Sequence, residues 1–263
     1  MTVSRRDLLV LAASTVLLTG LGLIASASGL MNSVYSSWPA VFGSMVGGPN
    51  ILLVVALTLL VAGLPQSVAV GSRWTAHVRT RQNLTLWTIT TAVRHTVIVG
   101  LSAGVAVLVW GCVVFGVLAD ASPELVDAAG YGLAPDELEA FTASSYPLWA
   151  AAGGNATLFV LLSALWTGLH AGLLALMAVL SAWLVPSRVV AVLLPAVVLF
   201  GASVAAEVGV SASLSPMITW MHPGGLQPTS LGLAMIPGLV LAALCVALLF
   251  VVCRRAPTLQ RFA

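Results

Sequence analysis

A chain of 263 residues that is 60% hydrophobic and 7% charged, with a net charge of +2, lacks the polar residues to clothe a water-soluble fold of this size. Its mean hydropathy of +1.08 makes lipid its solvent, and so weak a charge balance points to no nucleic-acid partner. The three cysteines (Cys112, Cys245 and Cys253) lie in apolar runs without C-x-x-C spacing, which argues against a disulfide framework or a zinc site.

The chain opens on "SRRDLL", residues that fit either a twin-arginine export signal or the charged anchor of a first membrane span. A cleavable signal has an apolar region of about 7 to 15 residues. The run that begins at Leu8 is longer, so a retained span over residues 8–30 is expected, with Ala25-Ser26-Ala27 as the cleavage site of the competing reading. A crossing helix needs roughly 20 apolar residues, and five further runs qualify: 51–70, 96–118, 156–185, 189–208 and 231–253. The expected fold is all-α, a single polytopic transmembrane domain over 1–263 with six helices. A cytoplasmic elbow spans 71–95 and an outer loop 119–155.

The charges test this segmentation. The chain has no lysine, and its arginines are Arg5, Arg6, Arg73, Arg79, Arg81, Arg94, Arg188, Arg254, Arg255 and Arg261. Six alternating crossings put all of them on one side. Six acids, Asp120, Glu124, Asp127, Asp136, Glu137 and Glu139, fall in the long loop on the other. The positive-inside bias then predicts cytoplasmic N- and C-termini in the cell (plasma) membrane.

Ahead of the elbow, Leu64-Pro65-Gln66-Ser67 brings a helix breaker close to the inner face, where a freed carbonyl needs a polar partner. The spacings Trp74/Val78 and Arg73/His77 set an apolar stripe beside a cationic one on a surface helix. Such an element either sits among anionic lipid headgroups or docks a cytoplasmic partner. In the outer loop, Pro123 and Pro135 start two short helices, and the acids make a mouth that would attract a cationic compound or simply meet water. Gly100-Leu101-Ser102-Ala103-Gly104 matches the hydrolase elbow G-x-S-x-G but lies in the third span, where small residues serve close helix packing. Met217, Met221 and His222 fall close together, yet residues of this kind are common interface anchors and predict no metal.

Three stretches carry a family likeness: "GGPNILLVVALTLLVAGLPQSVAVGSRWTAHVRTR", "APDELEAFTASSYPLWAAAGGNATLFVLLSALWTGLHAGLLALMAVLSAWL" and "VPSRVVAVLLPAVVLF". In hydropathy and punctuation the chain resembles the six-span permease subunits of ABC-2 type transporters, although its elbow carries no Glu. The resemblance implies an exporter of a peptide, drug or lipid-like substrate, formed with a second permease as homodimer or heterodimer. It also implies ATP bound and hydrolysed by a separate ABC ATPase subunit docked at the elbow through Arg73, Trp74, His77, Arg79, Arg81 and Arg94. The residues agree on one point independently: a P-loop needs a lysine on the phosphates, so this chain is expected to be no enzyme and to carry no cofactor of its own.

Three intramembrane polar residues complete the candidates: Gln66, His170 and Glu207. At about 1.5 Å rise per residue, His170 and Glu207 sit roughly 22 and 27 Å up the consecutive fourth and fifth spans. They therefore form either a proton or cation relay or a structural contact holding that hairpin. The relay is the centre of the alternative reading, a secondary transporter or channel driven by an ion gradient. A membrane immunity or assembly factor that transports nothing is the third.

Overall fold

The computed structural model describes residues 5–31, 33–47, 50–71, 84–220, 223–224 and 230–255. Helix α1 runs Arg5–Met31. Helices α2 (Trp38–Gly47), α3 (Asn50–Thr58) and α4 (Leu64–Gly71) follow, with a π-helical turn Leu59–Gly63 between the last two. Helix α5 (Leu84–Val113) continues through a second π turn, Val114–Leu118, to Ala121. Two short helices, α6 (Pro135–Ser145) and α7 (Pro147–Ala151), precede the long α8 (Ala156–Leu184) and α9 (Arg188–Gly209). The small α10 (Pro216–Thr219) leads to α11 (Leu231–Arg255). Among the described residues the only β pairing is an isolated parallel bridge, Tyr35 to Val126.

Among the described residues, six helices are long and apolar enough to cross a membrane: Arg5–Ala27, Trp38–Val70, Thr85–Ala121, Ala156–Leu184, Arg188–Gly209 and Leu231–Arg254. Their outward faces are apolar, with Val16, Ile24, Leu165, Val197, Val208 and Val246 all exposed, Val208 to 85%. Such surface is stable only against lipid or another apolar chain. The chain is a multi-pass, all-helical membrane protein.

Two spans begin earlier than the apolar runs indicate. Residues 84–95, expected as elbow, are the first turns of α5. They hold no Gly or Pro, Ala92 and Thr88 are buried, and Trp87 packs edge-on against Trp183 of α8 at 5.9 Å. The second span starts at Trp38 rather than residue 51, because α2 carries the buried Val41, Phe42 and Met45 beneath an aromatic cluster. In that cluster Phe42 meets Phe159 at 5.3 Å and Trp149 meets Phe159 at 5.3 Å.

The centre of the bundle is the crossing of α5 and α8. Gly100 and Gly104 face Gly168, Ala164 and Gly172 so closely that a Cβ on Gly100 would lie 2.8 Å from the Gly168 carbonyl oxygen, and one on Gly168 would lie 2.8 Å from that of Gly100. Small residues four apart on both helices permit this backbone-to-backbone seam. The G-x-S-x-G match is thus part of a packing surface; Ser102 is buried, its hydroxyl 3.5 Å from the Leu11 carbonyl of α1.

Helix α1 is tied into the bundle by polar contacts as well. Trp110 Nε1 donates to the Thr19 carbonyl at 3.3 Å, and Asn50 Nδ2 donates to Ser26 Oγ at 3.0 Å and to the Met45 carbonyl. Such bonds within an apolar solvent hold helices in register.

The two ends of the bundle differ in charge. At one end Val70, Trp87, Leu180, Trp183 and Val252 form a small cluster, bringing together the end of α4, the start of α5 and the ends of α8 and α11. At this end lie Arg188 and Arg254, and Arg94 forms an ion pair with Asp7 of α1, next to Arg5 and Arg6. The opposite end carries the acidic segment 119–155, which folds over residues 33–37: Tyr35 N donates to the Leu125 carbonyl at 2.8 Å and Asp127 N to the Tyr35 carbonyl at 2.9 Å.

Candidate functional site

The site residues expected from the sequence fall into three places. Arg73, Trp74, His77, Arg79 and Arg81 lie outside the described residues. Arg94, expected on the same elbow, instead stands inside α5 and is ion-paired to Asp7, with its side chain 40% exposed. Its charge is paired by Asp7 of α1, and α5 extends past it.

Gln66 sits one residue after Pro65, at the start of α4. A proline lacks the N–H of a regular turn and crowds the carbonyl before it. The π turn Leu59–Gly63, closed by Leu64 N on the Leu59 carbonyl, widens the helix where Pro65 follows. Gln66 is only 2% exposed, and its Nε2 has no acceptor among the described residues. A buried, unpaired amide costs about 1 to 3 kcal/mol, which keeps Gln66 a candidate functional position.

His170 and Glu207 do not meet. His170 Nδ1 donates to the Trp166 carbonyl of its own helix at 2.8 Å, which fixes the tautomer, since a carbonyl only accepts. Its ring packs against Trp166 (4.9 Å between centroids) and stacks on Trp220 (6.2 Å, 23°). Its other nitrogen faces Gly238 of α11, where any Cβ would strike it. Trp166 Nε1 in turn donates to the Thr219 carbonyl at 2.7 Å.

Glu207, exposed near the end of α9, accepts from Ser215 Oγ at 2.7 Å. One turn earlier, Ser203 Oγ accepts from Met217 N at 3.1 Å. The depth expected for the two residues put them side by side; the structure has each grip the segment 215–220, His170 through Trp220 and Glu207 through Ser215. The arrangement clasps α10 between α8, α9 and α11. It gives each of the two groups a structural partner.

The hairpin of α8 and α9 is closed by its own hydroxyls. Ser181 Oγ donates to the Ala191 carbonyl at 2.7 Å, and Ser187 caps α9 by accepting from Val190 N at 3.5 Å. At the acidic end, Asn155 caps α8, its Oδ1 accepting from Leu158 N at 2.9 Å. Met217 lies on α10 facing α9, while Met221 and His222 lie outside the described residues, and no cluster of three metal-ligating side chains occurs among the described ones.

Sequence reasoning missed a different grouping. All three tyrosines of the chain, Tyr35, Tyr131 and Tyr146, line one cavity of about 390 Å³ at the acidic end, together with Phe141 and Met217. Their separation along the chain hid this; their number and exclusive placement in the loops of one end were the available signal. Burial, first, and the neighbouring Tyr131 and Tyr35 push the Tyr146 phenol up to about 12.

No family model matches the chain, and neither a curated protein nor a solved structure matches it.

Proposed function

We propose that this chain is the permease subunit of an ABC-2 type transporter, an exporter whose energy comes from a separate ATPase subunit. The observation that carries the reading is the pairing of a six-crossing helical bundle with a sequence that contains no lysine. These residues hold no P-loop lysine for the nucleotide phosphates, so an ATP-driven bundle of this kind takes its power from a partner. The likeness of residues 47–200 to that family supports the same assignment. So does the sorting of the described arginines to one end of the bundle, which under the positive-inside bias we read as the cytoplasmic end.

In this reading the connection 72–83, with Arg73, Trp74, His77, Arg79 and Arg81, receives the ATPase. Motion reaches the bundle through α4 and α5, which flank it. The π turn and the unpaired Gln66 beside Pro65 are the compliant part of that route. A second permease, identical or related, covers part of the exposed apolar surface, lipid the rest. The cargo is a peptide, drug or lipid-like molecule.

The test is purification of the tagged chain from native membranes in mild detergent. A stoichiometric nucleotide-hydrolysing subunit, lost when Arg73, Arg79 and Arg81 are changed together to Glu, is the expected result. Purification without any such subunit, combined with flux driven by a pH gradient alone, would overturn the reading in favour of an ion-driven carrier.

A further inference from the structure

A second cavity, at the same end of the bundle, lies between α1, α2 and the end of α5. The fit of Trp110 against α1 sets its inner limit: a Cβ on Gly22 would strike the Trp110 ring, and Trp110 Nε1 holds the Thr19 carbonyl. Beyond that contact Leu23, Ala27 and Leu30 of α1, Met45 of α2, and Val113 and Leu118 of α5 and its continuation line a space of about 710 Å³. At about 1.5 Å rise per residue, Leu23 to Leu30 makes an apolar wall about 10 Å deep. The volume lies well inside the range of small-molecule pockets.

The wall and the rim of this space are both unusual. The π turn Val114–Leu118 falls between the two residues that α5 and its continuation contribute, and π turns inside α-helices are frequent at functional sites. The rim is polar and of one sign. Ser122 and the solvent-exposed Glu124 line it, and the Glu124 carboxylate has neither an ion pair nor a hydrogen bond among the described residues. Segments 33–37 and 119–155 around it contain six carboxylates and no lysine or arginine. A cleft lined by one sign of charge concentrates ions of the other.

An apolar wall below an acidic rim fits a molecule with an alkyl chain and a cationic head. It does not fit a bilayer phospholipid, whose phosphate lies between its chains and any ammonium and would meet Glu124 first. We propose that this cavity binds a single-chain cationic amphiphile, with the alkyl chain between α1 and α5 and the ammonium head at Glu124. Binding of this kind requires no ATPase, so its outcome is separate from that of the transporter assignment.

Calorimetric titration of the purified chain in phosphatidylcholine nanodiscs, with the heat of empty discs subtracted, tests it. The probe is octyltrimethylammonium, compared with its butyl homologue and with octyl sulfate. Octyltrimethylammonium is expected to bind saturably and at least about fivefold more tightly than octyl sulfate. The butyl homologue should bind at least about thirtyfold more weakly, because it lacks the apolar contact of four methylenes. Glu124→Gln should weaken octyltrimethylammonium about two- to fivefold, the worth of an exposed ion pair, and should not weaken octyl sulfate.

Ala27→Phe and Val113→Phe fill the cavity from its α1 and α5 walls. Each should weaken octyltrimethylammonium at least about tenfold, with an unchanged thermal unfolding temperature showing that the bundle is intact. No saturable heat above that of empty discs, octyl sulfate binding as tightly as the cation, affinity unchanged by Glu124→Gln, or affinity undiminished in both phenylalanine variants would each overturn the proposal.

Discussion

Replacing Gly168 by alanine probes the seam on which the bundle is built. The new methyl would lie 2.8 Å from the Gly100 carbonyl oxygen. Because the obstacle is backbone and not the end of a flexible side chain, relief requires α5 and α8 to separate by about half an ångström to reach ordinary contact. Overpacking of this kind costs about 1 to 3 kcal/mol, whereas alanine gains about 0.8 to 1 kcal/mol over glycine in helix propensity. The net loss expected for Gly168→Ala is then about 1 kcal/mol, and larger for Gly168→Leu. Gly201 on α9 is the control, since a Cβ there meets nothing within 4 Å; Gly201→Ala should gain up to about 1 kcal/mol. Reversible unfolding in bicelles, titrated with sodium dodecyl sulfate and followed by tryptophan fluorescence, measures both. If Gly168→Ala proved as stable as Gly201→Ala, the close backbone approach would be refuted as the organising contact.

Gln66→Leu removes a buried amide that has no acceptor among the described residues and should raise stability by about 1 kcal/mol; a fall in stability would show that the amide is satisfied. Asp7→Asn weakens the ion pair with Arg94, whose side chain is 40% exposed, so the expected loss in the same unfolding assay is no more than about 1 kcal/mol, with partial recovery in the charge-swapped double variant. On ultraviolet titration the Tyr146 phenolate should appear near pH 12 and not near 10. Its folded-state value is raised, so stability is complete below about pH 10 and declines as the pH climbs towards 12, where only the unfolded chain is fully ionised; Tyr146→Phe should flatten that decline.

The number of spans was legible because an apolar run of bilayer length has few other uses, and four of the six run close to the limits read from composition. What the runs concealed was how helices extend past them. Arg94 and His95 look like loop residues in isolation, but Asp7 from another helix neutralises the first, and the Trp87–Trp183 contact at 5.9 Å pins the turns beneath. For His170 and Glu207, rise per residue gives depth but says nothing of azimuth, and it is the rotation of α8 and α9 about their axes that sends the first towards Gly238 and the second towards Ser215. The π turns and the meeting of three tyrosines depend on contacts between distant segments and leave no local pattern to read.

The glycine seam also limits where a conduit can run. Main chain lies against main chain along α5 and α8, which leaves no width between them for even a water molecule, so any passage through the molecule would have to follow some other boundary. The broad apolar flanks of α9 and α11 are the boundaries the seam leaves open, each needing lipid or another apolar chain to cover it.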